Sequence, residues 1–404
     1  MVSFVFDNII GQKKVISSLK QEIRDGRVPQ SLLFYGKPYT GKLTAALEMA
    51  RSLTCEKEKA EWSCTCRACE LQRLLIYKDT VLLGSRYFSQ EIAASADVLK
   101  RNEKEFARYL FIRAVRKMLR RFDPFLWEGN EIRLRKIQPA VQEAEEMLEV
   151  ISPGNPLPDG KKLAVLIGKI EERCRIIERT IITDNIPVDQ VRKAVSWAHT
   201  STTGKHKVII LENADRMQDS SRNALLKVLE EPPEGVFFIL TTTRKEGIIP
   251  TILSRLRSYY FEERSKGETG MVLEKIFRED PEKYAGLKEY FMAWSNINPE
   301  SLKTKAVEFL QSVLSEDDRS FDFNAVDRNS VIPFLEELVL LLRKALRKED
   351  SIKGMYERID LDHLEKWNSM IKDCVIQIEQ FNQRTSLSLE SLYYKMRGMY
   401  EKVH

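Results

Sequence analysis

The octapeptide Gly36-Lys37-Pro38-Tyr39-Thr40-Gly41-Lys42-Leu43 follows the apolar run Ser31 to Tyr35 and precedes a helical pattern over Thr44 to Leu53. A buried strand, a glycine-bracketed turn and a helix in that order make a phosphate-loop match meaningful. The glycines let backbone N–H groups approach phosphate oxygens, and Lys42 can reach the β and γ phosphates. Such a unit requires a parallel strand beside it. Further short apolar runs at Thr80 to Leu83, Lys207 to Leu211 and Val236 to Leu240 read as buried strands, and Val15 to Arg27 reads as a helix before the strand at Ser31. Strands alternating with helical patterns predict an α/β layer with a largely parallel sheet.

The last loop position departs from the pattern. A hydrolysing site has Ser or Thr there to hold Mg²⁺, and Leu43 offers no oxygen. Thr44 carries a hydroxyl, but one residue later on a helix it points about 100° away. The loop therefore either still binds nucleotide or survives as a strand–turn–helix joint with Lys42 solvated. The second half of such a site is an acidic pair at a strand end. Here the strand ends in Glu212-Asn213-Ala214-Asp215, and an asparagine cannot accept the proton that a carboxylate can. The two departures, Leu43 and Asn213, point to a site that has stopped hydrolysing.

Four of the six cysteines, Cys55, Cys64, Cys66 and Cys69, crowd into fifteen residues. Without a secretion signal, that clustering fits thiolate ligands of a structural tetrahedral Zn²⁺ better than disulfides. The Cys-x-Cys limb is tighter than the usual knuckle, so whether all four coordinate stays open beside the alternative of four free thiols. No apolar run approaches the roughly 20 residues that span a bilayer, and the first ten residues lack a basic targeting region. The chain reads as cytoplasmic, with no membrane partner.

At 404 residues the chain is long enough for two or three domains. Its formal charge of +5, from 65 basic and 60 acidic residues, is too small to imply nucleic-acid binding, so any DNA-facing patch must be local. From about residue 85 to 183 the strand signal gives way to charged helical sequence, which reads as an insertion. Ala107, Leu110, Phe111, Ala114, Met118 and Phe122 share one helical face, while Arg113, Arg116, Lys117 and Arg120 fall on another. That basic face is a candidate DNA contact; a solvated face or a contact with a partner subunit is the favoured alternative, since Lys and Arg are common surface residues. Beyond Glu263 the sequence is helical, with a break predicted at Asn298 and Pro299 and a loop near Ser315 to Arg328.

Together these features resemble a known family. Phe6-Asp7-Asn8-Ile9-Ile10-Gly11-Gln12, the glycine loop, the four cysteines, Ile186 to Arg192, Glu212 to Met217, Asn223 to Pro233 and Thr251-Ile252-Leu253-Ser254-Arg255 follow the order seen in bacterial clamp-loader gamma/tau and delta-prime subunits. The resemblance covers about residues 4–84 and 184–262. It implies an AAA+ α/β domain over residues 1–262, with the zinc module at 55–69 and the insertion within it. A helical lid over 263–325 and a C-terminal helical collar over 326–404 would follow. The implied partners are gamma/tau-like ATPase subunits, a delta-like subunit, the sliding clamp, and primed DNA through the assembled complex. In the family's Ser-Arg-Cys motif the arginine completes a neighbour's ATP site. Ser254-Arg255-Leu256 keeps the arginine, whose alternative is a surface salt bridge. Thr242 and Thr243 match the sensor position, or cap a strand. The delta-prime type is the expectation; a gamma/tau-like motor and a repair or regulatory AAA+ protein are the alternatives.

Overall fold

The computed structural model describes residues 6–400 except 58–59, 62, 182–184, 296–298, 316–320, 329, 347–360, 380 and 382. The chain divides into two compact units, Met1–Trp294 and Ser295–His404. In the first unit β1 (Ser31–Tyr35), β2 (Thr80–Gly84), β3 (Lys207–Glu212), β4 (Val236–Thr242) and β5 (Arg257–Tyr260) form one sheet in the order β2-β3-β4-β1-β5. Every pairing in it is parallel. The sheet bears out the parallel α/β reading and adds β5, an edge strand whose alternating polar sequence carries no apolar run.

The near-continuous apolar strands are buried on both faces, as a parallel sheet requires. Alternate residues sort between two layers. Leu32, Phe34, Leu82, Ile210 and Ile239 face α1 (Lys13–Arg24), α2 (Lys42–Thr54) and α3 (Arg67–Arg73). Leu33, Val81, Leu83, Ile209, Leu211 and Leu240 face the opposite layer. That layer contains the 85–183 segment: α4 (Ser89–Arg101), α5 (Glu105–Leu119), α6 (Glu131–Arg135), α7 (Gln138–Val150) and α8 (Gly160–Ile181). Ala107, Phe111, Ala114, Met118 and Phe122 are buried there, as their spacing predicted, so the insertion is part of the main core. The end of the segment, Thr183, lies outside the described residues.

The same layer holds α9 (Val188–Ala198) and α10 (Asp219–Glu230), and α11 (Pro250–Leu253) precedes β5. After the sheet, α12 (Lys266–Val272) and α13 (Leu287–Ala293) contribute Val272, Leu287 and Tyr290 to the core of this unit. The second unit has a separate core built from α14 (Pro299–Leu314), α15 (Val331–Leu346), α16 (Leu361–Glu379) and α17 (Thr385–Tyr400). Phe309, Phe334, Trp367 and Leu389 are fully buried in it. The span 263–325 thus contributes to both units. Asn298, where a break was expected, lies outside the described residues, as do residues 316–320 of the expected loop at 315–328. No described helix is long and apolar enough to cross a membrane.

Candidate functional site

Strand β1 lies between β4 and β5 and delivers the glycine loop to the carboxyl edge of the sheet, where open α/β sheets bind ligands. Gly36 has φ 145°, and a Cβ there would overlap the carbonyl oxygen of Phe261. Gly41 has φ 92° and leads into α2. Lys42 Nζ donates to the carbonyl oxygens of Gly36 at 2.7 Å and Lys37 at 2.6 Å, and to Thr40 Oγ1 at 3.2 Å. Burial pushes the Lys42 ammonium down to about 8, against the opposing charges of Glu212 and Asp215. Leu43 is buried in the α1–α2–α3 core and supplies no oxygen. The loop is braced from the far end of this unit: Arg264 donates to the carbonyls of Tyr39 and Ile10, and Tyr39 stacks on Phe291 with centroids 5.3 Å apart.

At the end of β3, Glu212 accepts from Arg86 Nη1 at 3.2 Å and from Arg121 Nη2. Asn213 adopts the left-handed conformation at φ 54°, and its amide donates to the Ser85 carbonyl at 2.8 Å, tying β3 to the segment after β2. It is a strut there, with no carboxylate to take a proton. Asp215 accepts from Thr242 Oγ1 at 2.6 Å and pairs with Arg244 at 3.3 Å. Thr242 is buried, whereas Thr243 beside it is exposed.

The cations of α5 and the turn after it are held by the protein's own groups. Arg116, 1% exposed, bonds Glu145 and Glu149 of α7 and the Leu74 carbonyl. Arg113 donates to the carbonyls of Gln72 and Arg73, and Arg120 donates to Asp123 and to the Thr80 carbonyl. Lys117 pairs with Glu91, which also pairs with Arg86. This side of the helix is turned into the protein. Arg86, Glu91, Arg121 and Arg264 belong to no motif; only for Arg86 and Arg121 does the sequence carry a signal, the density of arginines after Ser85.

The four cysteine sulfurs lie within 4.8 Å of one another, and Cys55 and Cys64 Sγ are 3.8 Å apart. Zn–S bonds of about 2.3 Å in a tetrahedron place sulfurs about 3.8 Å apart, so the cluster fits a metal ion such as zinc. Arg51 of α2 donates to Cys69 Sγ at 3.1 Å and pairs with buried Glu48, so the helix that follows the loop also orients the cluster. Arg255, in the turn after α11, is partly exposed. It donates to Glu230 and to the Thr251 carbonyl.

Comparison with protein families matches residues 11–119 and 141–265, more than half of the chain, to the family described as DNA polymerase III, delta subunit. Among curated proteins, the chain is similar to DNA polymerase III subunit gamma/tau of Mycobacterium tuberculosis H37Rv, 39% identical over 75 residues, 18% of this chain and 13% of that one. It is also similar to DNA polymerase III subunit gamma of Buchnera aphidicola, 28% identical over 195 residues, 45% of this chain and 52% of that one. The chain thus spans 13% to 52% of the length of these relatives. A crystal structure of a DNA polymerase III gamma subunit-related protein from Thermotoga maritima aligns at 20% identity over 54% of this chain and 81% of that one. Its TM-score is 0.28.

Proposed function

Because this chain belongs to the DNA polymerase III, delta subunit family, we propose that it is a delta-prime-like clamp-loader subunit that does not hydrolyse ATP and completes the ATP site of a neighbouring subunit through Arg255. The observation that carries this reading is the placement of Leu43 and Asn213. One side chain is sunk in the core and the other is bonded to the Ser85 carbonyl, so neither a Mg²⁺-binding hydroxyl nor a general base is present at its position. Arg255, by contrast, stays at the surface, where a guanidinium can reach a neighbour's γ-phosphate. On this reading Gly36, Gly41, Lys42 and Thr242 would outline the degenerate nucleotide site, with Glu212 at the strand end.

On this reading the partners are gamma/tau-like ATPases, a delta-like subunit, the sliding clamp and, through the complex, primed DNA. Residues 263–325 would serve as the lid, 326–404 as the oligomerising collar, and Cys55, Cys64, Cys66 and Cys69 as a structural zinc site. A gamma/tau-like motor is the second reading, favoured by the names of the relatives and by Lys42. An ATPase assay on the isolated chain separates the two. Background rates, unchanged in Leu43→Thr, are expected here; turnover abolished by Lys42→Ala would establish the motor instead.

A further inference from the structure

Glu212 stands where a hydrolysing site presents a carboxylate to Mg²⁺ or to its bound water. Both of its oxygens are taken by guanidinium groups, Arg86 at 3.2 Å and Arg121. Arg86 and Lys117 share Glu91, so three cations face two carboxylates in one partly buried cluster with a net charge of +1. Asp215 is likewise committed to Thr242 and Arg244. Leu43 supplies no oxygen. These residues do not fit Mg²⁺: its usual ligand is missing, and the carboxylates that would attract a dication are already neutralised by fixed positive charge.

The two guanidinium groups differ in access. Arg121 is buried, its carbon 4.7 Å above the Phe88 ring. Arg86 is 27% exposed and also lies over Phe88, 5.3 Å from the ring centroid. A cation is therefore held, by groups that need no metal, at the end of β3, on the same carboxyl edge of the parallel sheet to which β1 delivers the glycine loop. We propose that the loop binds a polyphosphate of the nucleotide class without a divalent cation, Arg86 supplying the charge that Mg²⁺ supplies in hydrolysing sites. A guanidinium suits this role, because its planar donors can bond phosphate oxygens and Glu212 together.

The proposal rests on the non-hydrolysing reading of this site, and the test keeps the two apart. Binding of ATP, ADP and inorganic pyrophosphate to the full chain is measured by calorimetry with Mg²⁺ and in Mg²⁺-depleted buffer, without chelator so that the cysteine cluster is untouched. The two dissociation constants should agree within about twofold, and Arg86→Gln should weaken binding about tenfold or more. In Arg86→Gln each carboxylate keeps one cation, Lys117 for Glu91 and Arg121 for Glu212, so the variant should fold, as its melting curve will show. Glu212→Gln should tighten binding, whereas a metal-dependent site would lose affinity. Binding that requires Mg²⁺, no binding in either buffer, or full affinity in Arg86→Gln overturns the proposal. Turnover of ATP in the same samples would instead sink the non-hydrolysing reading.

Discussion

Arg255 Nη2 lies 2.5 Å from Glu230 Oε1, joining the turn after α11 to the last residue of α10. Both side chains are partly exposed, and such pairs contribute at most about 1 kcal/mol. The bond aims the guanidinium more than it stabilises the fold. Arg255→Ala should leave the chain folded and able to assemble, yet reduce the clamp-stimulated ATPase of the complex. At the affected site the loss should be on the order of 10³-fold or more. Arg255→Lys should recover little, since an ammonium lacks the planar fork. Steady-state ATPase and clamp-loading rates of reconstituted complexes check this, and wild-type rates in the alanine variant would leave Arg255 a surface residue.

Metal analysis should find about one zinc per chain, as a closed four-thiolate site holds one ion. Cys64→Ser should lose it and lower the melting temperature, because ligation contributes folding free energy directly. Arg51 and Glu48 place part of that loss on the helix behind the glycine loop, so polyphosphate affinity should fall together with metal content. A metal-free protein with unchanged melting would remove the site.

Burial alone would raise the Glu91 carboxyl, but Lys117 and Arg86 outweigh it and hold it at about 2. Its folded value lies below the unfolded value, so its stabilisation is complete above about pH 4.5 and is lost as the pH falls through about 2. Glu91→Gln leaves Lys117 without this carboxylate and should cost about 3 kcal/mol at neutral pH, with a shallower loss of stability in acid. Denaturant titrations at pH 7 and pH 3 measure both.

Gly36→Ala places a Cβ on the Phe261 carbonyl in a backbone region that side chains rarely adopt. The strain should cost about 2 kcal/mol or more. Gly26→Ala, also at positive φ but in open space, serves as the control and should cost less. Equal melting temperatures for the two variants would contradict the close packing of the loop against the residue after β5.

Four strands and the glycine loop were legible because each is a local pattern: a short apolar run, a turn and a periodic helix face. The edge strand β5 was not, since Arg257-Ser258-Tyr259-Tyr260 buries only Tyr259. The cysteine cluster was legible for the same local reason, its ligands lying within one short stretch of chain.

The sequence by itself determined the order of strand and helix, the positions that lack a hydroxyl and a base, and the presence of a cationic helix face. Only the tertiary structure decided where that face points. The carboxylate partners of Arg116 lie 29 and 33 residues away, and the two cations on Glu212 come from 91 and 126 residues away. Helical spacing specifies which side chains share a side, but whether that side meets water, DNA or buried carbonyls depends on which elements close over it. Burial also reversed the meaning of the charges. In water Arg116 would have been free for an anion, whereas in a low-dielectric interior it had to find carboxylate and carbonyl partners.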